Sequence, residues 1–153
     1  MKQKKLVIFF PSIEKGGVEK NLYIISNFFS KKVKNISIIT SDPKKIKNKK
    51  IKIITSNFIL TKKSRLIKTL NCIYLLIREI SKDKNLIVLS FQSNLFATII
   101  SYFFNIKIIS RANASPSGWL NNPIKKFIYK KLMRLSSKII VNSKEMMTEF
   151  KKE

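Results

Sequence analysis

The chain has 153 residues, with 32 Lys and Arg against 8 Asp and Glu, no His and a single Cys, for a formal net charge of +24. Without an imidazole, no Ser-His-Asp or Cys-His catalytic arrangement is open to it. One cysteine, Cys72, forms no intrachain disulfide and falls short of the roughly four Cys or His ligands of a structural zinc site. The length suits one domain, and 44% apolar residues supply a core.

The charge admits three readings. A basic surface releases counterions from nucleic-acid phosphates. It also suits an anionic membrane, where each nearby Lys or Arg is worth about 1 kcal/mol. The third reading is compositional: 28 Lys, 26 Ile and 13 Asn make up 67 of the 153 residues. No nucleic-acid motif is present, and aromatic residues do not interleave the basic runs as stacking platforms do. No nucleic-acid partner is therefore expected.

Met1-Lys2-Gln3-Lys4-Lys5 is charged like the start of a signal peptide, but the apolar run Leu6 to Phe10 ends at Pro11. It is shorter than the roughly 7–15 residues of a signal core. The longest apolar stretch, Leu95 to Phe104, is interrupted by Thr98 and Ser101 and falls short of the ~20 residues of a spanning helix. A soluble intracellular chain, at most peripheral to a membrane, is the expectation.

In chain order, Leu6–Phe10 reads as a strand buried on both faces. Val18, Leu22, Ile25 and Phe29 then mark one face of a helix. Asn35–Thr40 is a second strand, Lys44–Lys50 a charged loop and Ile51–Ile54 a third strand. A helix over Lys63–Ser81 is predicted to bury Leu66, Leu70, Ile73, Ile77 and Ile80. Leu86–Phe91 is a fourth strand. Ser93 caps a helix running to Phe104. Ile106–Ser110 is a fifth strand, and Pro123 opens a helix to about Leu135. Lys138–Asn142 is a sixth strand. Ser143 then caps a final helix with Glu145 in its first turn. Strands separated by helices pair in parallel through right-handed crossovers. The expected fold is a doubly wound, Rossmann-like α/β sheet of about six strands, with ligands bound beyond the carboxyl ends of the strands.

Three loops at that edge carry candidate chemistry. After the first strand, Glu14 and Lys15 lead into Gly16-Gly17 at a helix start. This pair suits either the close approach of a diphosphate or sugar to free N–H groups, or a tight turn at positive φ. Glu19 follows in the first turn, where a carboxylate balances the dipole. Neither G-x-G-x-x-G nor G-x-x-x-x-G-K-[ST] occurs, which speaks against a nicotinamide dehydrogenase or a P-loop NTPase. After the fourth strand, Gln92, Ser93 and Asn94 either bond a hydroxyl-rich ligand or cap the next helix. After the fifth, Arg111, one of four arginines, suits a site needing a planar bidentate donor. Asn113 and the only tryptophan, Trp119, follow it. The helix after Pro123 is predicted to bury Ile124, Ile128, Leu132 and Leu135 and to show Lys126, Lys130 and Arg134. That basic face suits anionic lipid or plain solvent. No pair of carboxylates is placed for glycoside hydrolysis.

Taken in order, Gly16-Gly17-Val18-Glu19-Lys20, Ser90-Phe91-Gln92, Ile109-Ser110-Arg111-Ala112-Asn113 and Ile139-Ile140-Val141-Asn142-Ser143 resemble a known family. It is the N-terminal domain of the family 4 glycosyltransferases of GT-B fold, in the bacterial branch that builds capsule, O-antigen and other surface polysaccharides. The resemblance implies retaining transfer of a sugar from a nucleotide-sugar donor to a lipid-linked or polysaccharide acceptor, with no metal or other cofactor, at the cytoplasmic face of the membrane. Gly16 and Gly17 would approach the donor phosphates. Gln92, Asn94, Arg111 and Asn113 would line the acceptor side of the cleft. Many relatives place a His near the reacting sugar; here Gln92 or Asn94 stands near that place. The resemblance spans residues 1–153 as the acceptor-side domain. It implies that the donor-binding domain is missing, so that the chain is a fragment that does not catalyse transfer alone. The alternative is a basic α/β binding module for nucleic acid or anionic membrane, without catalysis.

Overall fold

The structure, a computed structural model, describes residues 4–13, 16–56, 64–92, 94–113 and 122–151. Among these residues lie six strands: β1 (Lys5–Phe9), β2 (Ile36–Ile39), β3 (Lys52–Ile54), β4 (Leu86–Ser90), β5 (Lys107–Arg111) and β6 (Lys138–Ile140). They alternate with helices α1 (Gly17–Lys32), α2 (Arg65–Lys82), α3 (Asn94–Phe103), α4 (Pro123–Met133) and α5 (Lys144–Lys151). The strands form one parallel sheet in the order β3-β2-β1-β4-β5-β6. This is the doubly wound, Rossmann-like order, and its direction reverses between β1 and β4.

The register sorts side chains between two faces, because alternate residues of a strand point to opposite sides. Leu6 lies opposite Ile87, Ile87 opposite Lys107, and Ile109 opposite Lys138. One face therefore carries Val7, Phe9, Val88 and Ile108. It buries them under Cys72, Leu75, Leu76 and Ile80 of α2 and Ala97 of α3. The other carries Leu6, Ile8, Ile38 and Leu89, packed against Leu22, Ile25 and Phe29 of α1. The stripe predicted for α1 is thus the one that packs.

Two helices sit differently from their predicted faces. The buried stripe of α2 is Lys68, Thr69, Cys72, Leu75, Leu76, Glu79 and Ile80, while Leu66 and Leu70 are 62% and 54% exposed. In α4 the buried residues are Tyr129, Lys130 and Met133, whereas Ile124 is 67% and Ile128 50% exposed. The basic face expected at Lys126, Lys130 and Arg134 is therefore not presented as one surface. Lys130 is buried, Lys126 pairs with Glu149 of α5 at 3.1 Å, and only Arg134 stands exposed at the helix end. The physical cause is the neighbouring α5, which seats Phe150 against Tyr129 with ring centroids 6.4 Å apart and places a carboxylate beside Lys126.

The ends of the elements follow their sequence signals. Asn122 accepts from the N–H groups of Ile124 and Lys125 ahead of Pro123. Ser143 accepts from the Met146 N–H. Helix α3 stops at Asn105, whose φ of 54° is the one positive value among described non-glycine residues. The N–H of Asn105 bonds the Tyr102 carbonyl and that of Ile106 the Ser101 carbonyl, the paired bonds of a left-handed helix stop.

Two ion pairs tie helix α2 to the sheet. The Lys68 ammonium lies 3.1 Å from Asp42, which also accepts the Ile13 N–H at 2.8 Å; both side chains are buried. Glu79 takes Lys5 of β1 at 2.7 Å and Lys82 at 2.9 Å. Burial pushes the Glu79 carboxyl up, but the two lysine hydrogen bonds and charges outweigh it and hold the group down at about 2, against an ordinary 4.5. Its folded value is depressed, so the stability it contributes is present above pH 4.5 and is lost as pH falls toward 2. Urea titrations across that window are expected to show about 2 kcal/mol of pH-dependent stability that Glu79→Gln removes. Asp42→Ala leaves Lys68 buried and unpaired and is expected to cost about 3 kcal/mol, with partial recovery in Asp42→Ala/Lys68→Met.

Candidate functional site

Because every strand is parallel, the segments after β1, β4, β5 and β6 meet at one edge of the sheet, on either side of the reversal between β1 and β4. Strand-end carbonyls and amides there lie beyond the ladder and need partners. Side-chain amides supply them. Gln92, Asn113 and Asn142 each stand two residues beyond the ends of β4, β5 and β6. Gln92 Oε1 accepts the Ser12 N–H at 3.3 Å, joining the β4 and β1 segments across the reversal. Asn113 Nδ2 donates to the Phe91 carbonyl at 2.6 Å, and Asn142 Nδ2 to the Asn113 carbonyl at 3.4 Å. Asn94, in the first turn of α3, donates to the Arg111 carbonyl at 2.6 Å and accepts the Ser90 hydroxyl at 2.7 Å.

Arg111 is held at the centre of this chain of bonds. It is 7% exposed, its Nη2 donates to Asn142 Oδ1 at 2.9 Å, and its guanidinium lies 5.4 Å from the centre of the Phe91 ring. Burial lowers its pKa, yet a guanidinium stays charged at any ordinary pH. Its Nη1 and the Oδ1 of Asn113 are buried with no hydrogen-bond partner. A buried unmet donor or acceptor costs about 1–3 kcal/mol. One open donor and one open acceptor thus sit at the end of the same strand, flanked by fixed amides.

Four sequence-derived candidates, Gln92, Asn94, Arg111 and Asn113, are brought together here. Sequence reading passed over Ser12 and Asn142 as site residues. The signal for Asn142 was available: an amide at the same offset past consecutive strands. Ser12 contributes its backbone, which no residue type announces. Glu14, Ser93 and Trp119 lie outside the described residues.

Gly16 and Gly17 open α1 at the same edge, next along the chain from the β1 segment. Neither has a φ in the left-handed region, so the tight-turn reading does not apply. Gly16 is extended, at φ 169°, and a Cβ there would come 2.9 Å from Glu19 Oε2; a Cβ at Gly17 meets nothing. Glu19 is itself buried. Its carboxylate therefore lies back over the first turn of α1, whereas among the described residues nothing lies within 4 Å of a Cβ built at Gly17.

Cys72 is no nucleophile in this setting. It is buried beside Ser41, 3.4 Å away, and burial raises its thiol to about 11, against the opposing Ser41 hydrogen bond. Among the described residues, no three His, Cys, Asp or Glu side chains gather as a metal site, and no helix is long and apolar enough to cross a membrane. Among the described residues, a cavity of about 710 Å³ runs along the α1 face of the sheet and reaches the rim at Phe91 and Arg111, and one of about 380 Å³ lies between α1 and the segment around Lys47.

No protein-family model matches the chain, and no curated protein matches it in sequence. The fold and the site thus define a Rossmann-like α/β domain with a polar rim at its topological switch point.

Gly16→Ala is expected to displace the Glu19 carboxylate and cost about 0.5–1 kcal/mol, the scale of a first-turn acid. In a Glu19→Ala background the same substitution is expected to cost nothing. Gly17→Ala is expected to leave stability unchanged. Urea denaturation of the four variants measures the coupling.

Proposed function

We propose that the chain is the acceptor-side domain of a nucleotide-sugar-dependent glycosyltransferase of cell-surface glycan synthesis, of the family 4, GT-B type. The observation that carries this reading is the rim joining Ser12, Gln92, Asn94, Arg111, Asn113 and Asn142 at the switch point. Donors and acceptors fixed on strand ends suit a hydroxyl-rich ligand, and such ligands bind at this place in doubly wound sheets. The ordered motifs support the same reading. Gly16-Gly17-Val18-Glu19 opens α1, Ser110-Arg111-Ala112-Asn113 closes β5, and Val141-Asn142-Ser143 follows β6.

In this reading the acceptor is a lipid-linked or glycan sugar held between Gln92 and Asn113, and the Gly17 side of the α1 start faces the donor phosphates. The nucleotide is bound by a second domain, and the retaining transfer is completed only with it. Contact with the inner face of an anionic membrane is assigned to the outer side of α4. There Ile124, Phe127 and Ile128 are exposed and Lys131 stacks 4.8 Å from the Phe127 ring centre.

Calorimetric titration with a water-soluble disaccharide diphosphate bearing a short isoprenoid tail tests the proposal. Saturable binding is expected, at least ten-fold weaker in Arg111→Lys and in Asn113→Ala, with circular dichroism unchanged. Equal affinity for inorganic diphosphate, or full affinity in both variants, would overturn it.

A further inference from the structure

A parallel sheet is covered on both faces, but here the cover is uneven. Over β4 and β5, one face is packed by α2 and α3, with α4 beside α3. On the opposite face, among the described residues, α1 packs over β1 and β2 and reaches Leu89 of β4. Beside it, Ile87, Leu89, Ile109 and Ile140 floor an open trough of about 710 Å³, walled by Ile24 and Phe28 of α1. Phe28 is 56% and Ile140 44% exposed.

The dimensions suit one particular occupant. From α1 to the β6 edge, the bare strip spans β4, β5 and β6, two inter-strand gaps or ~10 Å, which is the diameter of an α-helix. Along the strands it runs from Lys4 to Arg111, about six residues or ~20 Å, the length of ~13 helical residues. The ends are cationic. Lys4 and Lys32 line the trough at its amino end, and the register puts Lys107 and Lys138 on the same face there; Arg111 stands at the carboxyl end. Among the described residues, no carboxylate lines it. Lys4, Lys32, Lys107 and Lys138 make no ion pair among the described residues. A second copy of this chain would bring another +24 against these lysines, so self-association is opposed by charge.

We propose that this trough docks an acidic amphipathic helix of a partner protein, about 13 residues long, with an apolar stripe on the sheet and carboxylates at its ends. The apolar floor supplies the affinity, and the lysines set which partner is accepted and how fast it arrives.

The test uses a fluorescein-labelled 13-residue peptide with Leu at i, i+3, i+4 and i+7 and Glu at both ends, followed by anisotropy. Binding is expected to weaken at least ten-fold in Phe28→Glu and in Ile140→Glu, both at exposed positions where the fold tolerates a charge. Lys32→Glu is expected to weaken it several-fold and to flatten its salt dependence. A sequence-scrambled isomer and a peptide with Lys in place of Glu are expected to bind at least ten-fold less tightly. Equal binding of either control peptide would overturn the proposal. So would a dimer, seen in sedimentation, that Phe28→Glu dissociates, or peptide binding that is absent while dodecyl phosphate binds in a manner abolished by Ile140→Glu.

Discussion

The constraint on which the structure depends is the reversal of strand order between β1 and β4. It sends neighbouring connections to opposite faces and leaves a crevice at the carboxyl edge where no crossover passes. Strand ends there have backbone groups that no ladder satisfies. The chain meets this with amides: Gln92 reaches Ser12 across the reversal, Asn113 reaches Phe91, and Asn142 reaches both Arg111 and Asn113. The same bonds that close the fold also preorganise a polar rim, and Arg111 is immobilised between an amide and an aromatic face. Preorganised donors lose little entropy when a ligand arrives.

The large positive charge is spread unevenly over this frame. Only a small part of it is paired in the salt bridges of the described residues: Lys5 and Lys82 with Glu79, Lys68 with Asp42, Lys126 with Glu149. What remains uncompensated includes the amino end of the open sheet face, where alternation along β5 and β6 puts Lys107 and Lys138 beside an apolar floor. Net charge describes solubility and association; its placement beside bare apolar surface describes recognition. The crevice and the trough meet at Phe91 and Arg111, which belong to both.

The sheet was legible in the sequence because β-branched runs such as Leu86–Ser90 occupy strands buried on both faces, and their composition says so directly. All six strands lie within a residue or two of their expected bounds. Helix faces were less legible. In α2 and α4, Ile and Leu occur on more than one side, so periodicity offers competing stripes, and only packing decides between them. The choice turned on residues that sequence scales treat as surface: Lys68 and Glu79 are buried as ion-pair members, and Lys130 lies on the buried side of α4 itself. At the rim, Gln92, Asn94, Arg111 and Asn113 were legible as polar residues after strands, whereas Ser12 acts through its backbone. The Gly pair suggested a special backbone conformation, but neither glycine is left-handed; what a side chain at Gly16 would meet is the Glu19 carboxylate three residues on.

The central claim is that the rim at the switch point binds a ligand as well as closing the fold. Two-dimensional amide NMR of the chain, titrated with the soluble disaccharide diphosphate, tests it most directly. The account predicts that shifts concentrate at Ser12, Gln92, Asn94, Arg111, Asn113 and Asn142 and their neighbours. Shifts confined to the exposed lysines of α1 and the segment from Lys44 to Lys50, with the rim unmoved, would contradict it.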